Sequence, residues 1–578
     1  MRVEGLVTKL AIVVLSCVLF ACGSRATGTG DSGNGDGTVG LHVLTAIEVT
    51  PTNPIIELDL NQPGMQGFAA TGRFQDGNDM DISDRVNWSV VNPAVGTLSG
   101  TTLNIPGFAT TTVEVSRIRA ELDGIVGEAQ ITVVAYRRSG TSQDFFFVLP
   151  YMPPTGEVAK PLDFGTAVPA LDVFFLMDTT GSMLEEIQNL QNALTNTVIP
   201  GIQNAVANTM FGVGAFEDFP IAPHGGPRSI CFTGSTLDQP LAVFSNMTNV
   251  AAQLQAAVAQ YTVGGLPKGC GNSWPESAIE AMYLVATGQG VNSPGGTNVP
   301  ASNIGFRPKT MPVVVTITDA ISNAAGEART CNTLDGGSAT TGYGSSIATA
   351  HTRQQAKDAL LAKCARTVGI APVIPLIGNC SAEADLEDFA TATGARVPPA
   401  AWDLGGRPAG CAANQCCTGM NGAGRTPDGN GLCPLVFRVN DAGAGVSTNV
   451  VTGIQLLTRF AQFDVTSERQ GVTTDIDGNA LPPPRTTADF IKAVTPTGFV
   501  LPPAPPVVPN PTFDATTFYG VTPSTRVQFD VRALNDFVMQ TAEAQIFRAT
   551  IRVLASGCSD LDQRDVLILV PPTPIVIQ

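Results

Sequence analysis

The sequence predicts a multidomain protein in which a doubly wound parallel α/β sheet is flanked by all-β sandwich domains. Three observations carry this. Apolar runs at 171–177, 210–216, 311–318 and 368–377 read as strands buried on both faces. Amphipathic stretches at 183–198, 248–261, 276–287, 350–366 and 382–393 alternate with them and read as helices. Short alternating runs before and after, at 45–49, 130–134, 527–531 and 549–553, read as half-buried strands.

Most of the runs are followed by what such a fold needs. In open parallel sheets ligands sit beyond the carboxyl ends of the strands. Three of the apolar runs end in a carboxylate there: Asp178, then Glu217-Asp218, then Asp319. The first delivers Asp178, Thr180 and Ser182 at spacing i, i+2, i+4 into a turn, an oxygen-rich set suited to a small hard cation. The rival reading is that Asp178 and Ser182 cap the following helix.

Bulk properties narrow the function classes. The chain of 578 residues is too long for one core, so three or four domains are expected. The 60 glycines and 42 prolines imply many turns and linkers. Net charge is −17 with no basic cluster, which argues against nucleic-acid binding. His42, His224 and His351 are scattered, and no zinc-protease, P-loop or nucleophile-elbow string occurs, so no enzyme is expected.

Arg2 and Lys9 precede a short apolar run at 10–20, the pattern of an export signal rather than a membrane span. Its end, Leu19-Phe20-Ala21-Cys22-Gly23, resembles a bacterial lipoprotein signal. That resemblance implies a signal peptide at 1–21, lipidation of Cys22, and an exported protein held at the outer membrane or cell surface by its lipid alone. Residues 22–40 form a flexible Gly/Ser linker.

Ten cysteines lie beyond the leader: Cys231, Cys270, Cys331, Cys364, Cys380, Cys411, Cys416, Cys417, Cys433 and Cys558. In an exported chain they suggest up to five disulfides of undetermined pairing. A zinc site within 411–433 is the weaker reading, because that stretch has no histidine. If the loops of Cys231 and Cys270 lie beside the site, a bridge between them would stiffen its rim.

The domain boundaries follow the changes in pattern. Residues 41–136 read as a sandwich, and the strings at 69–77, 81–83 and 86–93, with Trp88 as a core residue, resemble bacterial immunoglobulin-like domains. Residues 137–167 form a β segment packing with the C-terminal region, since the strings at 144–150 and 565–571 are alike. The α/β domain spans 168–465 with a Cys-rich insertion at 400–434. A Pro-rich linker at 466–510 and a C-terminal β domain at 511–578 complete the chain.

The string Asp178-Thr179-Thr180-Gly181-Ser182 resembles the first loop of the von Willebrand factor A domain, a Rossmann-like fold bearing a metal-ion-dependent adhesion site. The stretch 312–320 resembles that family's last metal loop, with Asp319 as its acid. Pro275-Glu276 opens a helix where most members place a Thr, an arrangement similar to the A-like domain of integrin β chains. The resemblance implies Mg²⁺ (or Mn²⁺) held by Asp178, Thr180, Ser182, Glu276 and Asp319, with Ser277 the runner-up to Glu276. Glu185, Glu186 and Asp218 become candidates for an adjacent cation, Ca²⁺, although charges in a helix's first turn commonly serve the helix itself. Ser273 stands where integrin β chains carry a metal-binding Asp, which counts against a third cation. The partner implied is a protein or other extracellular ligand presenting an acidic residue that completes the metal shell. The alternatives are a structural envelope protein with a vestigial metal site, or a non-catalytic subunit of an envelope enzyme. The string 475–479 reads as a plain turn rather than a calcium loop.

Overall fold

A computed structural model describes residues 43–138, 144–226, 237–292, 298–332, 337–374, 379–504 and 507–573. Cys22, the leader and Cys231 lie outside the described residues. Among the described residues no helix is long and apolar enough to cross a membrane.

The N-terminal unit is built from ten strands between Leu44 and Tyr136. Its longest pair, Thr112–Leu122 and Ile125–Tyr136, is an antiparallel hairpin turning at Asp123-Gly124, both with positive φ as a tight turn demands. Alternation along the pair sends Ile118, Ala120, Ala129 and Ile131 into one core. Trp88 packs on that core, and its indole N–H donates to Ser83 O at 2.9 Å. The end of the hairpin is buried on its second face too: Val134 and Tyr136 meet Phe146, Leu567 and Leu569 of the next unit.

That next unit draws strands from both sides of the central domain. Phe145–Val148 runs parallel to Ser559–Val570, and Val158–Gly165 runs antiparallel to Arg526–Ala533. The first pair belongs to a six-stranded sheet with Gln545–Ala555, Phe463–Gly471, Thr517–Val521 and Thr512–Phe513. The second belongs to a three-stranded sheet closed by Ile491–Val500. Phe518 of the larger sheet meets Phe529 of the smaller edge-on, with centroids 5.2 Å apart.

Between these flanks lies a six-stranded sheet in the order β3-β2-β1-β4-β5-β6, where β1 is Ala170–Asp178, β2 Asn208–Phe216, β3 Ala242–Thr248, β4 Met311–Ile317, β5 Arg366–Val373 and β6 Val436–Asn440. Four of its pairings are parallel; β2–β3 is antiparallel with two register shifts. Period-two alternation divides the core. Val173, Phe175, Met177, Val313 and Val315 face one cluster, while Phe174, Leu176 and Val314 face the other. Helices α1 (Leu184–Ala193), α2 (Ala251–Val258) and α6 (Val446–Phe460) pack into the first; α3 (Ala278–Thr287) and α4 (Arg353–Ala362) pack into the second, and α5 (Glu383–Ala392) places Leu386 in the first and Phe389 in the second.

The expected fold class is corrected by this arrangement. Strands make up 40% of the protein and helices 19%, so the doubly wound parallel α/β class gives way to a mostly β architecture of mixed sheets. The long flanking strands carry the difference, since Thr, Val and Ile favour pleated surfaces and abundant Gly and Pro shorten helices. Between cysteines that both lie among the described residues, four disulfides close locally or between units: Cys331–Cys380, Cys364–Cys558, Cys411–Cys417 and Cys416–Cys433. Cys364–Cys558 ties the central sheet's flank to the β framework.

Candidate functional site

The carboxyl ends of β1, β2 and β4 converge with the loop that precedes α3. Asp178 closes β1 and is wholly buried. Its Oδ1 accepts from Thr180 N at 2.9 Å and Thr180 Oγ1 at 2.8 Å, and its Oδ2 accepts from Thr318 Oγ1 at 2.7 Å. Neither Asp178 nor Ser182 caps α1, whose start has no side-chain cap. The capping alternative is therefore not what these residues do.

Asp319 follows β4. Both its oxygens are buried, and neither has a hydrogen-bond partner of acceptable geometry, although Ser182 lies close enough to favour the charged form. Burial raises the pKa of both Asp178 and Asp319, and the charge of Asp319 makes the ionisation of Asp178 harder still. Glu276 is fixed by its backbone, which bonds Ile321 O at 3.0 Å and receives Asn323 N at 2.7 Å. Its Oε2 is buried without a partner, and burial plus the charges of Asp178, Asp218, Asp238 and Asp319 push it well above the carboxylate range. Gly271, at φ +60°, lets the chain pass: a Cβ there would sit 3.0 Å from Glu276 Oε1 and 3.2 Å from Thr180 Cγ2.

The remaining candidates separate by their partners. Ser277 is used up structurally, donating to Glu217 O at 2.9 Å. Asp218 is saturated: Phe219 N at 2.6 Å and Tyr343 Oη at 2.8 Å reach Oδ1, and Asn323 Nδ2 at 2.7 Å reaches Oδ2. Glu185 is exposed. Glu186 is buried with both oxygens unpartnered, and burial lifts its pKa to about 8. Asp475 accepts from Asp477 N at 3.0 Å and Asn479 N at 2.7 Å, a plain turn.

The contacts that fix the rim were invisible in the residue pattern. Glu217, lifted by burial to about 7, takes the Thr179 hydroxyl on Oε1 and Gln239 N at 2.9 Å on Oε2. Asp238 accepts from Cys270 N at 2.8 Å and Gly226 N at 2.9 Å, pinning the rim. Cys270 is disulfide-bonded. The Cys331–Cys380 bridge packs with Trp274 and Ile321 and braces the loop that holds Glu276.

Among the described residues no group of three or more His, Cys, Asp or Glu side chains is gathered to hold a metal ion. The expected metal-ion-dependent adhesion site for magnesium is corrected accordingly. The physical reason is visible in the contacts: hydroxyls of Thr180 and Thr318 occupy Asp178, and Asn323 and Tyr343 occupy Asp218. The unpartnered oxygens of Asp319, Glu276 and Glu186 nonetheless fit a hard cation in the chemistry of their donors.

Comparisons with known proteins give no family. No family model matches the chain, and with its mostly β, mixed-sheet build the resemblance to the von Willebrand factor A domain is not upheld. A stretch of 125 residues is 34% identical to Ice-binding protein 1 of Shewanella frigidimarina (strain NCIMB 400), covering 21% of this chain and 12% of that protein. Two crystal structures of the pilus adhesin SpaC from Lactobacillus rhamnosus GG, one in the open conformation, align at 10% identity. They cover 81% and 78% of this chain and 49% and 52% of theirs, with TM-scores of 0.27 and 0.28. The chain thus spans about half the length of those adhesins and a small part of the ice-binding protein; likeness this low assigns no fold.

Proposed function

We propose that this is a non-enzymatic, surface-located binding protein of the adhesion type. It engages its ligand at the carboxylate-rich end of the central sheet, where a divalent cation bridges protein and ligand. The observation that carries this reading is the set of buried carboxylate oxygens on Asp319, Glu276 and Glu186 that have no hydrogen-bond partner. Leaving one buried polar group unpaired costs about 1–3 kcal/mol, and more when charged, so three such carboxyls at one end of the sheet favour a positive partner. Asp319, Glu276 and Ser182 would hold the cation, with Thr180 beside them and Asp178 orienting the loop. A carboxylate from the ligand would complete the shell. A relative named for ice binding fits a binding role rather than a catalytic one. Lipid anchoring through Cys22 at the outer membrane or cell surface is part of the proposal.

The test is capture of cell-surface extract on the immobilised full chain. Binding that needs Mg²⁺, Mn²⁺ or Ca²⁺, disappears in EDTA, and is lost in Glu276→Gln supports the reading. Equal capture with and without EDTA removes the cation from it.

A further inference from the structure

A cavity lined by none of the strand-end carboxylates lies between α6 and the disulfide-stapled segment around 401–422. It encloses about 530 Å³, within the range of small-molecule sites. Its apolar wall includes Trp402, Phe437 and Phe460, all nearly fully buried. The facing wall is one stripe of α6, with Thr448, Thr452 and Arg459 on it. The Cys411–Cys417 and Cys416–Cys433 bridges hold the outer wall, so the cavity is built rather than a passing gap between loops.

Its charge is the opposite of the chain's. The protein carries a net −17, yet no Asp or Glu lines this cavity, while two guanidiniums do. Arg438 is engaged by Glu383, with Nε bonds of 2.8 and 2.9 Å. Arg459 is exposed in the last turn of α6, and among the described residues no carboxylate pairs with it. An aromatic floor, hydroxyls along one side and an uncompensated guanidinium at one end match a ligand with an apolar body and an anionic head.

We propose that this cavity binds a small organic carboxylate with an aromatic or aliphatic body, its carboxylate on Arg459 and its body against Trp402 and Phe437. The site is separate from the strand-end cluster and stands whether or not that cluster takes a cation.

The experiment titrates the full chain calorimetrically with 3-phenylpropionate, its neutral amide 3-phenylpropanamide and the amine 3-phenylpropylamine. Tryptophan emission is followed in parallel. The acid should bind on the order of ten-fold more tightly than the amide, the scale of one charge-assisted hydrogen bond, and the amine most weakly. Arg459→Gln should equalise acid and amide, and Thr452→Phe, which fills the cavity, should abolish both, with cation titrations of the two variants unchanged. Absence of acid binding to the wild-type chain, equal affinity for all three compounds, or an acid preference surviving in Arg459→Gln would each overturn the proposal. The wild-type comparison alone decides it if a variant fails to fold.

Discussion

Thr318 donates its hydroxyl to Asp178 Oδ2 at 2.7 Å, joining the ends of two neighbouring parallel strands at the floor of the carboxylate cluster. Thr180 occupies the other oxygen. Asp178 is thus the hinge-pin of the loops, and Asp319 and Glu276 are the groups left open. Removing Asp178 would dismantle the floor as well as the site, so Glu276 is the cleaner residue to change.

Thr318→Val keeps the shape and deletes the bond. One Asp178 oxygen then stands buried and unpaired, at a cost of about 1–3 kcal/mol. Urea unfolding should show a lower midpoint with an unchanged slope.

The pH response follows from Glu186. Its folded pKa of about 8 lies above the ordinary 4.5, so between these values the folded state keeps a proton that the unfolded chain releases. Without divalent cation, the share of stability that Glu186 contributes should therefore be fully present below about pH 4.5 and fall as pH rises towards 8. Glu186→Gln removes that share of the slope, and melting temperature against pH in EDTA should flatten. Glu217, raised to about 7, keeps part of the slope in place.

Far from the cluster, Asp172 is a fully buried carboxylate at the start of β1, bound by Arg307 Nε at 2.7 Å and Thr310 Oγ1 at 3.0 Å. Arg307→Leu strands that charge and should cost about 3–5 kcal/mol. Chemical denaturation checks the loss. Cation affinity should be unaltered, because nothing at the strand ends changes.

The strand ends were readable because strands covered on both faces become continuous apolar runs, as at 171–177, and a carboxylate closes the run where the chain leaves the sheet. Edges hid themselves. β3 is half-buried along its length, and its mixed sequence carries neither a clean alternation nor an apolar run. Ile491–Val500 sits in a Pro-rich stretch, and Pro496 is tolerated only because the strand lies at an edge and shifts register between Pro496 and Gly498. The weight of the β flanks was also underread, and with it the fold class. Within the site, Asp178 and Asp319 announce themselves, whereas the partners that saturate Asp218 do not. Asn323 and Tyr343 arrive from loops 105 and 125 residues away, a relationship no local spacing encodes.

The central claim is that the open carboxylates at the strand ends hold a divalent cation. Isothermal titration of the metal-free full chain with Mg²⁺, Mn²⁺ and Ca²⁺ tests it most directly. Saturable binding of one ion per chain by at least one metal, with protons released near neutral pH and at least a roughly ten-fold loss in Glu276→Gln, is the predicted result. Heats indistinguishable from dilution for all three metals, or identical isotherms for the wild-type chain and Glu276→Gln, would contradict it.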